Sequence, residues 1–193
     1  MATPPLCHML IGPPGSGKTT LAHHLHRLMP HSCLVSTDRI RQQLYGDPAI
    51  QGPWPEIEAV VEEQIKEAIH QGQTMIYDAT NTKRVWRQAL VQHFAPLGIP
   101  WVGWYLTTPL ATCLAWNSQR PRAVDTAVIE AMHQDLHQFP PQAAEGFIAL
   151  YPLNPCRDLG SVEAHLQQLG HSPREGDRLQ PLGEDRLAEQ PTT

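Results

Sequence analysis

Gly12, Pro13, Pro14, Gly15, Ser16, Gly17, Lys18 and Thr19 form a complete G-x-x-x-x-G-K-[ST] sequence. Its glycines let the backbone take conformations closed to other residues, so that successive N–H groups turn inward on an anion. A helix beginning near Lys18 points its positive end at the same place. Lys18 supplies a mobile ammonium for the β and γ phosphates of a nucleoside triphosphate, and the Thr19 hydroxyl is a ligand for Mg²⁺. Thr20 follows directly and belongs to the same nucleotide-binding stretch.

Two carboxylates and three arginines stand where they could complete such a site. Asp38 and Asp78 each close a short apolar, β-prone segment, and in an open parallel sheet ligands bind at the carboxyl ends of the strands. Asp78 suits the Asp that fixes Mg²⁺, directly or through water; a helix cap or turn residue would read the same way. Asp38 heads Asp38-Arg39-Ile40-Arg41, and on a helix positions 38 and 41 share a face. A carboxylate there can accept the proton of an acceptor hydroxyl, while Arg41 orients it or holds a phosphate. The competing reading is a capping Asp with a surface Arg. Arg120 and Arg122 straddle Pro121, and a cation on such a joint can fold over the γ phosphate as charge develops. Two solvated arginines on a loop are the alternative.

These residues need a frame, and the chain alternates strand and helix signals throughout. Leu6 to Ile11 reads as a buried strand, followed by a helix that Pro30 stops. Cys33 to Thr37 is a second strand, leading into a short helix from Asp38 to Tyr45. A longer helix runs from Trp54 to Gln71, with Ile57, Val60, Val61, Ile65, Ala68 and Ile69 as its apolar stripe. Thr74 to Tyr77 and Pro100 to Leu106 are further strands, with a helix from about Lys83 between them carrying Val85, Trp86, Leu90, Val91 and Phe94. Helices over about 109–119 and 125–137, a last strand over 147–151 and a helix over 161–169 capped by Ser161 complete the order. Alternation of this kind predicts a three-layer α/β/α fold with a mostly parallel central sheet and a helical lid. Residues 1–170 are expected to form one domain built around the phosphate loop. Apolar residues thin out beyond His171, which predicts a disordered tail over 171–193.

Composition narrows the function classes. The 193 residues carry a net charge of −5, which argues against a broad sequence-independent nucleic-acid surface while allowing a local basic groove. No run has the length of a membrane span, and the N-terminus shows neither a basic segment nor a signal-peptide core, so a cytosolic protein is expected. Cys7, Cys33, Cys113 and Cys156 are scattered without C-x-x-C spacing and read as free thiols, three of them in or beside apolar runs. His23, His24 and His26, and the pair His133 and His137, lack the Glu of a zinc-hydrolase helix and read as exposed histidines.

Four segments together carry a resemblance. Gly-Pro-Pro-Gly-Ser-Gly-Lys-Thr-Thr at 12–20, Ser-Thr-Asp-Arg-Ile-Arg at 36–41, Tyr-Asp-Ala-Thr-Asn at 77–81 and Trp-Asn-Ser-Gln-Arg at 116–120 resemble the kinase module of phage-type and bacterial polynucleotide 5′-hydroxyl kinases. The likeness spans about residues 6–150 and includes Glu145, Gly146 and Phe147. It implies transfer of the γ phosphate of ATP, with Mg²⁺, to a nucleic-acid 5′-hydroxyl end. Lys18 and Thr19 would hold ATP and Mg²⁺, Asp38 would be the general base, Arg41 would contact the acceptor phosphate or brace Asp38, and Arg120 would be the lid arginine, with Arg122 as substitute. Lys83, Arg84, Arg87, Arg120 and Arg122 would form a local basic rim. Asp125 departs from the family, standing where many relatives have a proline, and can cap the helix that follows. Related modules phosphorylate small molecules such as nucleotide sugars or antibiotics, so a small hydroxyl-bearing acceptor is the second reading, and a nucleotide-dependent switch the third.

Overall fold

In the computed structural model, which describes residues 5–170, the strands are β1 (Cys7–Ile11), β2 (Cys33–Ser36), β3 (Met75–Asp78), β4 (Trp101–Leu106) and β5 (Phe147–Leu153). They pair in the order β2-β3-β1-β4-β5, and every pairing is parallel. The sheet of the described residues is therefore wholly parallel, with all carboxyl ends along one edge. Register puts Ser36 abreast of Asp78 and Ile11 abreast of Tyr105, so the segments that leave β1, β2, β3 and β4 start side by side.

Seven helices of the described residues connect the strands: α1 (Lys18–Leu28), α2 (Thr37–Tyr45), α3 (Trp54–His70), α4 (Arg84–Phe94), α5 (Leu110–Ser118), α6 (Thr126–Gln138) and α7 (Val162–Gln168). Side chains alternate across the sheet with period two and feed two cores. Cys7, Met9 and Ile11 of β1 join Ile40 of α2, Ile57, Val61 and Ile65 of α3, Val91 and Phe94 of α4, and Leu136 of α6. Leu10 turns to the other side, with Leu21 and Leu25 of α1 and Val162 and Leu166 of α7. Helices on both faces of one sheet make the three-layer α/β/α architecture expected from the alternation.

Three local expectations change. On α4 the inward stripe is Arg87, Val91 and Phe94, whereas Val85 and Trp86 are 64% and 52% exposed. An arginine replaces the apolar pair because a buried carboxylate meets it, as described below. Ser161 does not cap α7 with its side chain; its hydroxyl donates instead to the Asp158 carbonyl at 2.7 Å. The final strand continues past Tyr151 to Leu153, pairing with β4 to its end. Asp125 does cap α6, accepting the Ala127 N–H at 2.9 Å. Cys7 and Cys113 are buried, Cys33 half-buried and Cys156 exposed, all as free thiols. No helix of the described residues is long and apolar enough to cross a membrane. The tail expected over 171–193 lies outside the described residues.

Candidate phosphotransfer site

The loop between β1 and α1 is held from outside by three contacts. The Gly12 N–H donates to the Thr80 carbonyl at 2.9 Å, which ties the loop's start to the segment after β3. The buried Thr108 hydroxyl, beyond the end of β4, donates to the Ser16 carbonyl at 2.7 Å. Gly15, at φ +77°, lies so close to α5 that an added Cβ would sit 2.2 Å from the Cys113 carbonyl oxygen. Backbone, not side chain, therefore fills the turn, and no other residue fits Gly15 without moving α5. Pro13 is buried, Pro14 half-buried, and Thr20 exposed in the first turn of α1.

The loop's polar groups fit a phosphate chain. Lys18 reaches back across the turn, its Nζ donating to the Pro13 carbonyl at 2.8 Å, which holds the ammonium over the cradle. The Ser16 hydroxyl is buried without a partner among the described residues, an unmet donor at the same turn. Burial lowers the Lys18 pKa from 10.5 to about 8; Asp78 opposes the shift, Arg120 adds to it and Asp38 opposes it. The three residues picked from sequence as metal ligand, lid cation and base thus all act on one ammonium.

Asp78 ends β3 and is buried. Its Oδ2 accepts the Thr19 hydroxyl at 3.1 Å. Burial pushes its carboxyl pKa up, while Lys18 and the Thr19 hydrogen bond pull it down. A hydroxyl and a carboxylate side by side, both hard oxygen donors, suit Mg²⁺, which is commonly held by one or two protein oxygens together with substrate phosphates.

Asp38 lies in the first turn of α2 with its side chain 75% exposed, and Arg41 one turn on donates to its Oδ1 at 3.0 Å. Arg41 is only 14% exposed, and its buried Nε–H lacks an acceptor among the described residues. The carboxylate therefore faces open space and is paired with a guanidinium that is itself largely buried.

Arg120 and Arg122 follow α5 and separate in role. Arg120 is exposed and carries no side-chain hydrogen bond among the described residues' contacts, while Arg122 donates to Asp47 Oδ1 at 2.9 Å, bridging to the loop that follows α2. The joint between α5 and α6 is clipped by Asn117, whose buried amide gives to the Val124 carbonyl at 2.8 Å and takes from the Val124 N–H at 3.0 Å.

The basic rim is smaller than expected. Arg87 is fully buried: its Nε donates to Glu145 Oε2 at 2.6 Å and its Nη2 to Glu145 Oε1 at 2.8 Å. The same guanidinium bonds the carbonyls of Asn81, Thr82 and Phe139. Arg84 also pairs with Glu145, at 3.3 Å. Arg87 belongs to the scaffold because only a bidentate carboxylate and backbone carbonyls make a buried guanidinium tolerable.

Thr108, Asn81, Asn117 and the Arg87–Glu145 pair are supports that sequence reasoning did not pick out by role. Asn81 had a usable signal: it takes the left-handed conformation at φ +48°, which Asn tolerates better than most residues, and its amide donates to the Leu10 carbonyl at 2.7 Å.

Comparison with known proteins agrees with this architecture. The profile of AAA_33, an AAA domain, matches residues 7–139. A search of curated sequences finds no significant match. Among solved structures, the chain is similar to one in the Pnkp1/Rnl/Hen1 RNA repair complex (TM-score 0.65, 21% identity, covering 72% of this chain and 46% of that one). It is also similar to the tunicamycin resistance protein of Deinococcus radiodurans (TM-score 0.60, 18% identity, 87% and 97% covered). Shikimate kinase from Acinetobacter baumannii, in complex with shikimate, is a third (TM-score 0.57, 19% identity, 86% and 94% covered). The chain thus spans about half of the repair-complex chain and nearly the full length of the other two. At these identities the likeness is one of fold, a phosphate-loop kinase-like fold. With its profile covering most of the described residues, the chain belongs to the AAA domain family AAA_33.

Proposed function

We propose that the protein is an ATP-dependent phosphotransferase whose acceptor is a polynucleotide 5′-hydroxyl. The observation that carries the proposal is the Asp38–Arg41 pair: an exposed carboxylate, held by a largely buried guanidinium, whose charge acts on Lys18 of the phosphate loop. A carboxylate in that position serves a donor site only if an acceptor comes to it.

The transfer is a displacement at the γ phosphorus. The acceptor hydroxyl gives its proton to the Asp38 carboxylate as its oxygen bonds to phosphorus, and the bond from phosphorus to the β–γ bridging oxygen breaks, releasing ADP. Lys18 and the loop amides hold the phosphates, and Arg120 meets the charge that develops on the moving group. Thr19 and Asp78 would hold Mg²⁺, which neutralises the β and γ oxygens when bound.

Incubation with γ-labelled ATP, Mg²⁺ and 5′-hydroxyl oligonucleotides tests this, with transfer of label to the oligonucleotide expected. Asp38→Ala is expected to keep ATP affinity and lose about 10²- to 10⁴-fold in turnover. Unchanged turnover would remove the base and favour a nucleotide-dependent switch. A small hydroxyl-bearing acceptor is the second reading, favoured by the nearly full-length likeness to shikimate kinase. Label appearing in a metabolite pool and never in nucleic acid would select it.

A further inference from the structure

A cavity of about 250 Å³ opens where the chain enters α4 and α6 ends, lined by Thr82, Lys83, Arg84, Val85, Asp135 and Phe139. The transfer chemistry makes no use of it. Val85 and Phe139 are 64% and 45% exposed, and the neighbouring Trp86 is 52% exposed with the Lys83 ammonium 4.8 Å from its ring centre. Large apolar side chains left in water at a helix start have no role in the core beneath them, where Arg87 has taken the inward position.

The cavity is built rather than incidental. One buried guanidinium holds both of its walls: Arg87 Nη1 donates to the Thr82 carbonyl at 2.9 Å, and Nη2 to the Phe139 carbonyl at 3.2 Å. The Thr82 hydroxyl is buried and without a partner among the described residues. Two residues of the cavity's lining, Thr82 and Lys83, follow the carboxyl end of β3, whose neighbour β2 leads into Asp38.

We propose that this patch is a subsite for single-stranded nucleic acid, holding bases that lie on the 3′ side of the phosphorylated end. The proposal rests on the reading of the acceptor as a polynucleotide 5′-hydroxyl. Its chemistry follows from the residues. Trp86 offers the face of its ring away from Lys83 for a base to stack on, while the Lys83 ammonium, seated over the other face, can meet a phosphate. The Asp135 carboxylate is a polar group for base edges. Lys83 and Arg84 against Asp135 make the lining locally cationic on a chain whose net charge is −5, which is the complementarity a polyanion needs. A duplex keeps its bases stacked on one another, so only a single strand can use an exposed ring.

The test uses the full chain, a 3′-fluorescein oligodeoxynucleotide of about eight nucleotides with a free 5′-hydroxyl, and a nucleoside 3′-monophosphate as the shortest acceptor. Trp86→Ala is expected to weaken oligonucleotide binding, read by anisotropy, by about tenfold, the size of one lost stacked base. It is expected to raise KM for the oligonucleotide by the same factor, with kcat and all parameters for the nucleoside 3′-monophosphate unchanged. Trp86→Phe should restore most of the loss, and Lys83→Gln should reduce the salt dependence of binding. Equal binding by wild type and Trp86→Ala, equal losses on both acceptors, or no binding by wild type would overturn the subsite. So would a wild-type dimer in sedimentation that Trp86→Ala dissociates, since the patch would then be a contact between copies. Label transfer to oligonucleotides without a Trp86 effect removes the subsite and leaves the proposed reaction. A Trp86-dependent binding difference without any transfer removes the reaction and leaves the subsite.

Discussion

Arg87 and Arg122 both form ion pairs, one in the buried floor beneath the start of α4 and one at the exposed mouth between the segment after α5 and the loop after α2. At the floor, Arg87 and Glu145 are 0% and 1% exposed and joined by two hydrogen bonds, with three carbonyls completing the guanidinium's donors. At the mouth, Arg122 and Asp47 are 51% and 52% exposed and share one contact. Residue type and local charge do not distinguish the two; burial does. In the floor, losing one partner strands a charge in a dry setting, whereas at the mouth water replaces it. Arg120 is a third case, exposed and unpaired by side chain among the described residues, and so available to a ligand.

Variants can break this contrast. Arg120→Ala is expected to lower turnover about 10³- to 10⁵-fold with no change in melting temperature, read from initial rates beside a thermal melt. A drop in stability instead would make Arg120 scaffold like Arg87. Arg87→Met should show the reverse, a stability loss of about 3–5 kcal/mol in urea unfolding from stranding Glu145. Near-normal stability would mean that the floor tolerates the lone carboxylate and that the pair contributes little.

Lys18 sharpens the contrast with a pH dependence. Its folded pKa of about 8 lies below the ordinary 10.5, so between those values the folded, ligand-free protein releases a proton that the unfolded chain keeps. Stability from this group therefore rises with pH across that window and is flat below it. Affinity for ATP moves the other way, falling by at most about tenfold per pH unit above pH 8 as the ammonium is lost. Melts and titrations of wild type against Lys18→Met read both trends, which the variant should abolish. The smallest effect belongs to the mouth: Arg122→Ala should change stability by less than about 1 kcal/mol, and less still at high salt. A larger change would show the exposed bridge to be coupled to the floor.

Much of this is legible in the sequence alone. The phosphate loop, the strand end at Asp78, the helix start carrying Asp38 and the α/β alternation follow from local pattern, because glycine spacing and period-two or period-3.6 hydrophobicity are local facts. The α3 stripe was legible for the same reason. The face of α4 was not, since Arg87 turns inward for Glu145, a residue far along the chain whose partner no periodicity announces. Thr108 is a similar case: its hydroxyl matters only because β4 lies beside β1, which brings it to the Ser16 carbonyl. Asp38 and Arg41 were found together because a helical turn makes their pairing local, whereas the contact of Arg122 with Asp47 needs the segment after α5 to meet the loop after α2.

The seam between β1 and the segment after β3 has a further consequence. The Gly12 amide bonds to the Thr80 carbonyl, and the Asn81 amide bonds back to the Leu10 carbonyl, so the two segments are stitched by a crossed pair of bonds. A donor nucleotide that shifts Gly12 must carry Thr80 and Asn81 with it, and with them the approach to Thr82. By thermodynamic reciprocity, any factor by which nucleotide changes acceptor affinity through this stitch is the factor by which acceptor changes nucleotide affinity.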